Sequence, residues 1–249
     1  MSYSQYPQRP AQPYGYGPAG YPVGPGLQPL SPRQVAKTRR EKRSTAFRYA
    51  FGYLAAIWTV FLVNFIFFGG YLNNLGIHPL DTSSFLGIFL APLLHADIGH
   101  IVSNSVPGAI FCFLIGYSGS KVFWEVTAFS VFSAGLGTWL FGGIGTNHIG
   151  ASGLVYGWLT YLIVRGIFNR SARQIFLGLV LGFFYSGLIW GIFPGTPGVS
   201  WQGHLFGALG GLLAGMIITS DDPPELVARR LQRQARRRPP GPAGPRGTI

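Results

Sequence analysis

Charge is scarce in this chain, and acidic charge is scarcest: 7 Asp and Glu stand among 249 residues, and charged residues make up 10% of the whole. Soluble domains average about 25% charged residues, so a chain this poor in charge and 48% hydrophobic is not read as a water-exposed globule. A single cysteine, Cys112, lies within an apolar run. That excludes a disulfide framework and a cysteine-based metal centre. No His-Glu-x-x-His motif occurs, and no carboxylate stands near His148 or His204 to complete a ligand set, so metal-dependent hydrolysis is disfavoured.

The hydrophobic residues come in blocks. Six of these, at about 48–70, 99–117, 122–142, 152–168, 174–193 and 203–219, approach the ~20 residues that cross hydrocarbon as a helix. The expected fold is therefore an all-α membrane protein with six transmembrane helices at 46–220. A basic tail at 1–45 and a Pro-rich basic tail at 221–249 are expected to be disordered. All 19 Lys and Arg fall in the two tails, at Arg48 where the first segment begins, at Lys121, or at the junction of the fourth and fifth segments (Arg165, Arg170 and Arg173). The three alternate loops hold none, so the positive-inside rule predicts both termini in the cytoplasm of a multi-pass plasma-membrane protein. The first apolar run begins far from the start, which predicts a retained span and not a cleaved signal. The basic tails suit anionic lipid. They lack the interleaved aromatics of a nucleic-acid platform, so no nucleic-acid partner is expected.

Polar residues inside apolar segments are costly and usually functional. Ser152 opens the fourth segment within Gly150-Ala151-Ser152-Gly153, and His204 opens the sixth. Ser152 alone reads first as a helix N-cap, and His204 alone also reads as a structural histidine. Glycines every four residues, at 203, 207, 211 and 215, face a matching Gly153 and Gly157. Such small-residue ridges let helix backbones approach closely, which would bring the imidazole to the hydroxyl as base to nucleophile. His100 and Asn104, four positions apart, share one face of the second segment. They supply either interhelical hydrogen bonds or, with the Ser152 N–H, an oxyanion hole. No carboxylate lies in reach of these groups, so a serine–histidine dyad is expected, the histidine oriented by packing or by another polar group.

With these residues in these segments, the chain resembles the rhomboid family of intramembrane serine proteases. The resemblance rests on His100-Ile101-Val102-Ser103-Asn104, on Gly150-Ala151-Ser152-Gly153, and on His204 with Gly207 and Gly211, in that order across about residues 45–220. It implies Ser152 as nucleophile, His204 as base, and His100 and Asn104 as oxyanion donors. It further implies Tyr156 as the ring on which His204 packs, and His95 as an accessory histidine. No cofactor is implied, and the expected partners are the lipid bilayer and transmembrane protein substrates. A Trp-Arg pair common in the family's first outer loop is missing between about Tyr71 and Leu94, so no role is carried to that loop. A non-catalytic membrane chaperone and a small transporter are the alternatives. Oligomeric state is not legible.

Overall fold

The first helix starts on a reciprocal cap. Ser31 Oγ accepts from the Gln34 N–H at 3.3 Å, and the Ser31 N–H donates to Gln34 Oε1 at 2.7 Å. Pro32 at the first helical position completes a capping box. A computed structural model describes residues 31–223, with 15–16, 22–23 and 226–227. Most of the two tails expected to be disordered lies outside the described residues. Within them, α1 runs Pro32–Phe68, so the helix begins well before residue 45, where the sequence reading ends the N-terminal tail. The unit up to Arg43 also holds a two-residue antiparallel pairing, Gly15–Tyr16 with Pro22–Val23. A second unit begins at Ser44.

That second unit is all-helical among its described residues. Short helical turns lie between residues 71 and 93, among them α2 at Gly87–Leu90. The longer helices follow as α3 Ile98–Ser118, α4 Ser120–Phe141, α5 Ser152–Asn169, α6 Ala172–Phe184 and α7 Trp201–Ile217. Two of the described helices, α1 and α3, are long and apolar enough to cross a membrane by length and composition. A third span results if α6 is joined to the 3₁₀ segment Ser186–Ile192 across a 70° bend. The sequence reading made 174–193 one continuous span; the structure breaks it at Tyr185.

The core is built by α3, α4, α5 and α7 around Phe111, Ile115, Val126, Val155, Trp158 and Ala214. Large apolar side chains nevertheless face outward: Phe176, Leu179, Phe183 and Phe184 on α6 are each about 70% exposed or more. A soluble monomer rarely shows such a patch, and the exposure suits a hydrocarbon surround.

Glycine sets the distance between α5 and α7. A Cβ on Gly207 would lie 2.1 Å from the Gly153 carbonyl oxygen, and one on Gly211 would lie 2.0 Å from that of Gly157. The two backbones are in contact. At the other end of the pair, Arg165 corrects the sequence reading. It is buried within α5, not exposed in a loop, and its guanidinium donates to Asp221 Oδ1 from Nε at 2.8 Å and from Nη2 at 2.6 Å. Nη2 also reaches Asp222 Oδ1 at 2.5 Å, and Nη1 donates to the Gly215 carbonyl at 3.0 Å. Tyr161 and Gln174 bond the second Asp221 oxygen, so α5, α6 and the chain beyond α7 share one ionic clasp.

Two outcomes follow for thermal unfolding in detergent. Arg165→Met removes the cation from two buried carboxylates and is expected to destabilise by about 3–5 kcal/mol. A change under 1 kcal/mol would show that the clasp is not formed. Gly211→Ala puts a methyl against the Gly157 carbonyl and should cost about 1–3 kcal/mol, while the same substitution at Gly52, where a Cβ meets nothing within 4 Å, should not destabilise.

Candidate active site

The segment before α5 is pinned from several sides. His148 and Ile77 exchange backbone hydrogen bonds at 2.9 Å, and the Gly150 N–H donates to the Ala91 carbonyl at 2.8 Å. Gly150 has φ +114°, and a Cβ there would fall 2.4 Å from His100 Nε2. Both facts require glycine at this position. The chain then enters α5 at Ser152. Ala151 occupies the N-cap and makes no side-chain capping bond, so the Ser152 hydroxyl is not spent on a cap.

It is spent on His204. The hydroxyl lies 2.7 Å from His204 Nε2, and His204 Nδ1 lies 2.9 Å from the Gly191 carbonyl oxygen. A carbonyl only accepts, so Nδ1 carries the ring proton and Nε2 presents its lone pair to the serine. The tautomer required of a general base is thereby fixed by the main chain. Tyr156 stacks on the imidazole with ring centroids 4.1 Å apart and planes 10° from parallel. Its own hydroxyl donates to the Leu188 carbonyl at 2.7 Å. Both carbonyls come from the 3₁₀ segment after the α6 bend, so that break in the helix is what delivers the orienting group.

Asp97 caps α3 by accepting from the His100 N–H at 2.9 Å. His100 and Asn104 follow on the face that lines a cavity of about 860 Å³, shared with Ser152, His204, His148 and Ser200. One N–H of the Asn104 amide donates to the His100 carbonyl at 3.1 Å. Ser152, as the first residue of α5, has a backbone N–H without an intrahelical acceptor. His95 lies behind, buried and edge-on to His100 with centroids 5.0 Å apart. Burial, helped by His100, lowers its pKa to about 4. His148 is also held below the usual histidine range, by burial first and then by His78.

Of the residues singled out from sequence, the structure brings Ser152, His204, His100 and Asn104 to the wall of one cavity, with Tyr156 stacked on His204 and Gly150 packed against His100. Gly153 and Gly207 lie below it at the α5–α7 contact, and His95 in the layer behind. Sequence reasoning missed Gly191 and Leu188, whose contributions are main-chain atoms. A cavity of about 40 Å³ on the far side of Ser152, walled by Ile88, Ala134, Gly135 and Thr138, was likewise not legible.

Comparison with known proteins supplies the relationship. Residues 82–221 match the family model of the rhomboid domain. Uncharacterized proteins of Mycobacterium tuberculosis (strain ATCC 25618 / H37Rv) and Mycobacterium bovis (strain ATCC BAA-935 / AF2122/97) are each 42% identical over 177 residues, covering 68% of this chain and 72% of theirs. One of Mycobacterium leprae (strain TN) is 41% identical over 169 residues, covering 65% of this chain and 66% of its own. With residues 82–221 matched by that family model and relatives 42% identical over 68% of its length, this chain belongs to the rhomboid family.

Proposed function

We propose that this protein is an intramembrane serine endopeptidase that cuts transmembrane segments of other membrane proteins through an acyl-enzyme. The observation that carries the reading is the Ser152–His204 bond, with the imidazole tautomer set by the Gly191 carbonyl. His204 Nε2 takes the hydroxyl proton as Ser152 Oγ attacks a peptide carbonyl carbon. The oxyanion meets the Ser152 N–H, the remaining amide N–H of Asn104, and His100. On collapse the imidazolium gives its proton to the departing amine, and a water activated by the same nitrogen releases the acyl group. No cofactor or metal enters this scheme.

The 40 Å³ recess beside Ser152 has room for a small side chain next to the cut bond. A substrate helix must unwind to offer a carbonyl, since helical hydrogen bonds occupy its own. In this reading α1, α3, α4, α5, the bent α6 pair and α7 all span the plasma membrane, with both termini in the cytoplasm. α7, at 17 residues, rises about 26 Å, close to the ~30 Å hydrocarbon thickness. The distribution of Lys and Arg supports that orientation.

A serine-reactive phosphonate should label the wild-type protein in detergent and leave Ser152→Ala unlabelled. A folded wild type that does not react would remove the hydrolase reading, and client binding indifferent to Ser152→Ala would point to a chaperone. Asn104→Ala should slow cleavage of a model transmembrane substrate by up to about 10²–10³-fold with unchanged thermal stability. Unaltered turnover would take Asn104 out of the oxyanion site.

A further inference from the structure

The two segments that meet at Ser152 and His204 meet a second time, with the residue types exchanged. One segment reads His148-x-x-x-Ser152 and the other Ser200-x-x-x-His204. His148 Nδ1 lies 2.7 Å from Ser200 Oγ, the same length as the Ser152–His204 bond, and both pairs are 52 positions apart. Five residues on each side and two hydrogen bonds close a small ring.

Proton positions in this second contact can be deduced. Thr146 Oγ1 donates its single proton to the Gly143 carbonyl at 2.5 Å. Toward His148 Nε2, 2.7 Å away, the threonine oxygen can therefore only accept, and Nε2 carries the hydrogen. Nδ1 is then an acceptor, and the Ser200 hydroxyl donates to it. Ser200 Oγ also accepts, at 3.4 Å, from the Gly203 N–H as the N-cap of α7, and the Ser200 carbonyl accepts from the His204 N–H at 3.2 Å. The burial that holds His148 neutral keeps this arrangement in place. His148 is itself held to Ile77 by two backbone bonds. A fixed loop thus grips the first turn of the helix that carries the base.

We propose that His148, as its Nε2–H tautomer on Thr146, is a positioning residue that clamps α7 to the loop ahead of Ser152 through Ser200 and so sets the Ser152–His204 distance. The inference rests on the hydrolase reading. The glycine contact fixes how closely α5 and α7 approach below the site, and α7 is bonded to α4 through Ser133 Oγ on the Phe206 carbonyl at 2.6 Å and Gln202 Nε2 on the Phe141 carbonyl at 3.2 Å, while the His148–Ser200 contact ties its start to the loop that carries Ser152. A slip of 1 Å would stretch the 2.7 Å catalytic bond beyond hydrogen-bond range.

The test uses the full-length protein in detergent, reading kcat and KM on a model transmembrane substrate together with the rate of phosphonate labelling at Ser152. His148→Phe keeps a ring and loses both bonds. It should lower kcat and labelling by about 10–100-fold with KM held within about twofold, which a residue contacting substrate would not do. Ser200→Ala should match it, and the double variant should be no worse than either single one. His148→Asn, whose amide oxygen stands near the Nδ1 position, should recover most of the loss. Nitrogen-15 NMR of the wild-type imidazole should show Nε2 protonated and Nδ1 bare, a readout that stands even where His148→Phe does not fold. An unchanged kcat in His148→Phe, additive losses, a change confined to KM, or the opposite tautomer overturns the inference alone. So does phosphonate on Ser200 in Ser152→Ala, which would make Ser200 a nucleophile. A wild type that neither labels nor cleaves overturns the hydrolase reading as well, and is recognised by the wild-type control.

Discussion

The contact of two helix backbones without intervening side chains is the constraint on which the rest of this molecule depends. Gly153 and Gly157 on α5 meet Gly207 and Gly211 on α7 so closely that a methyl on either α7 glycine would sit about 2 Å from a carbonyl oxygen. Because side chains on a helix stand about one turn apart along a face, this contact places the first turns of the two helices side by side. The residues there are Ser152 and His204. Without that approach a serine and an imidazole at two helix starts would be separated by a layer of side chains, and neither would have a partner.

Around this contact the structure divides its labour by depth. At one end, the Arg165 clasp joins α5, α6 and the chain beyond α7 with charges that are paired and hydrogen-bonded, the condition under which buried ions are tolerated. At the other end, neutral hydrogen bonds predominate: carbonyls orient His204 and Tyr156, and hydroxyls bracket His148. That difference suits the chemistry proposed for the upper end. The Gly191 carbonyl fixes the tautomer of His204 without adding a net charge.

Much of this was readable from the chain, for a physical reason. Ser152, His204 and the His-x-x-x-Asn pair are polar side chains in apolar surroundings, and the glycine ridge repeats with the helix; both signals are local. Six apolar blocks likewise correspond in position to α1, α3, α4, α5, the bent α6 pair and α7, though the count of membrane crossings goes further than length and hydropathy establish. What escaped was non-local or carried no side chain. Gly191 acts through its carbonyl, at a place set by a bend that hydropathy does not register. Arg165 looked like a loop charge because its partners lie 56 and 57 positions away. The capping box at Ser31–Gln34 was a local signal that was overlooked. The stretch between Tyr71 and Leu94, judged only by the motif it lacks, supplies Ile77 and Ala91 to hold the loop ahead of Ser152.

Gly191 has a consequence for how this protein fails. A methyl there would fall 2.0 Å from the Tyr156 hydroxyl and 3.0 Å from His204 Nδ1, while the carbonyl that orients the histidine survives every substitution. The same holds at positions 150, 207 and 211, where harm comes from an added carbon and not from a lost group. Alanine scanning, ordinarily a subtractive probe, acts additively across this part of the chain. A map of its damaging positions would outline the empty spaces around Ser152 and His204 as sharply as the side chains themselves.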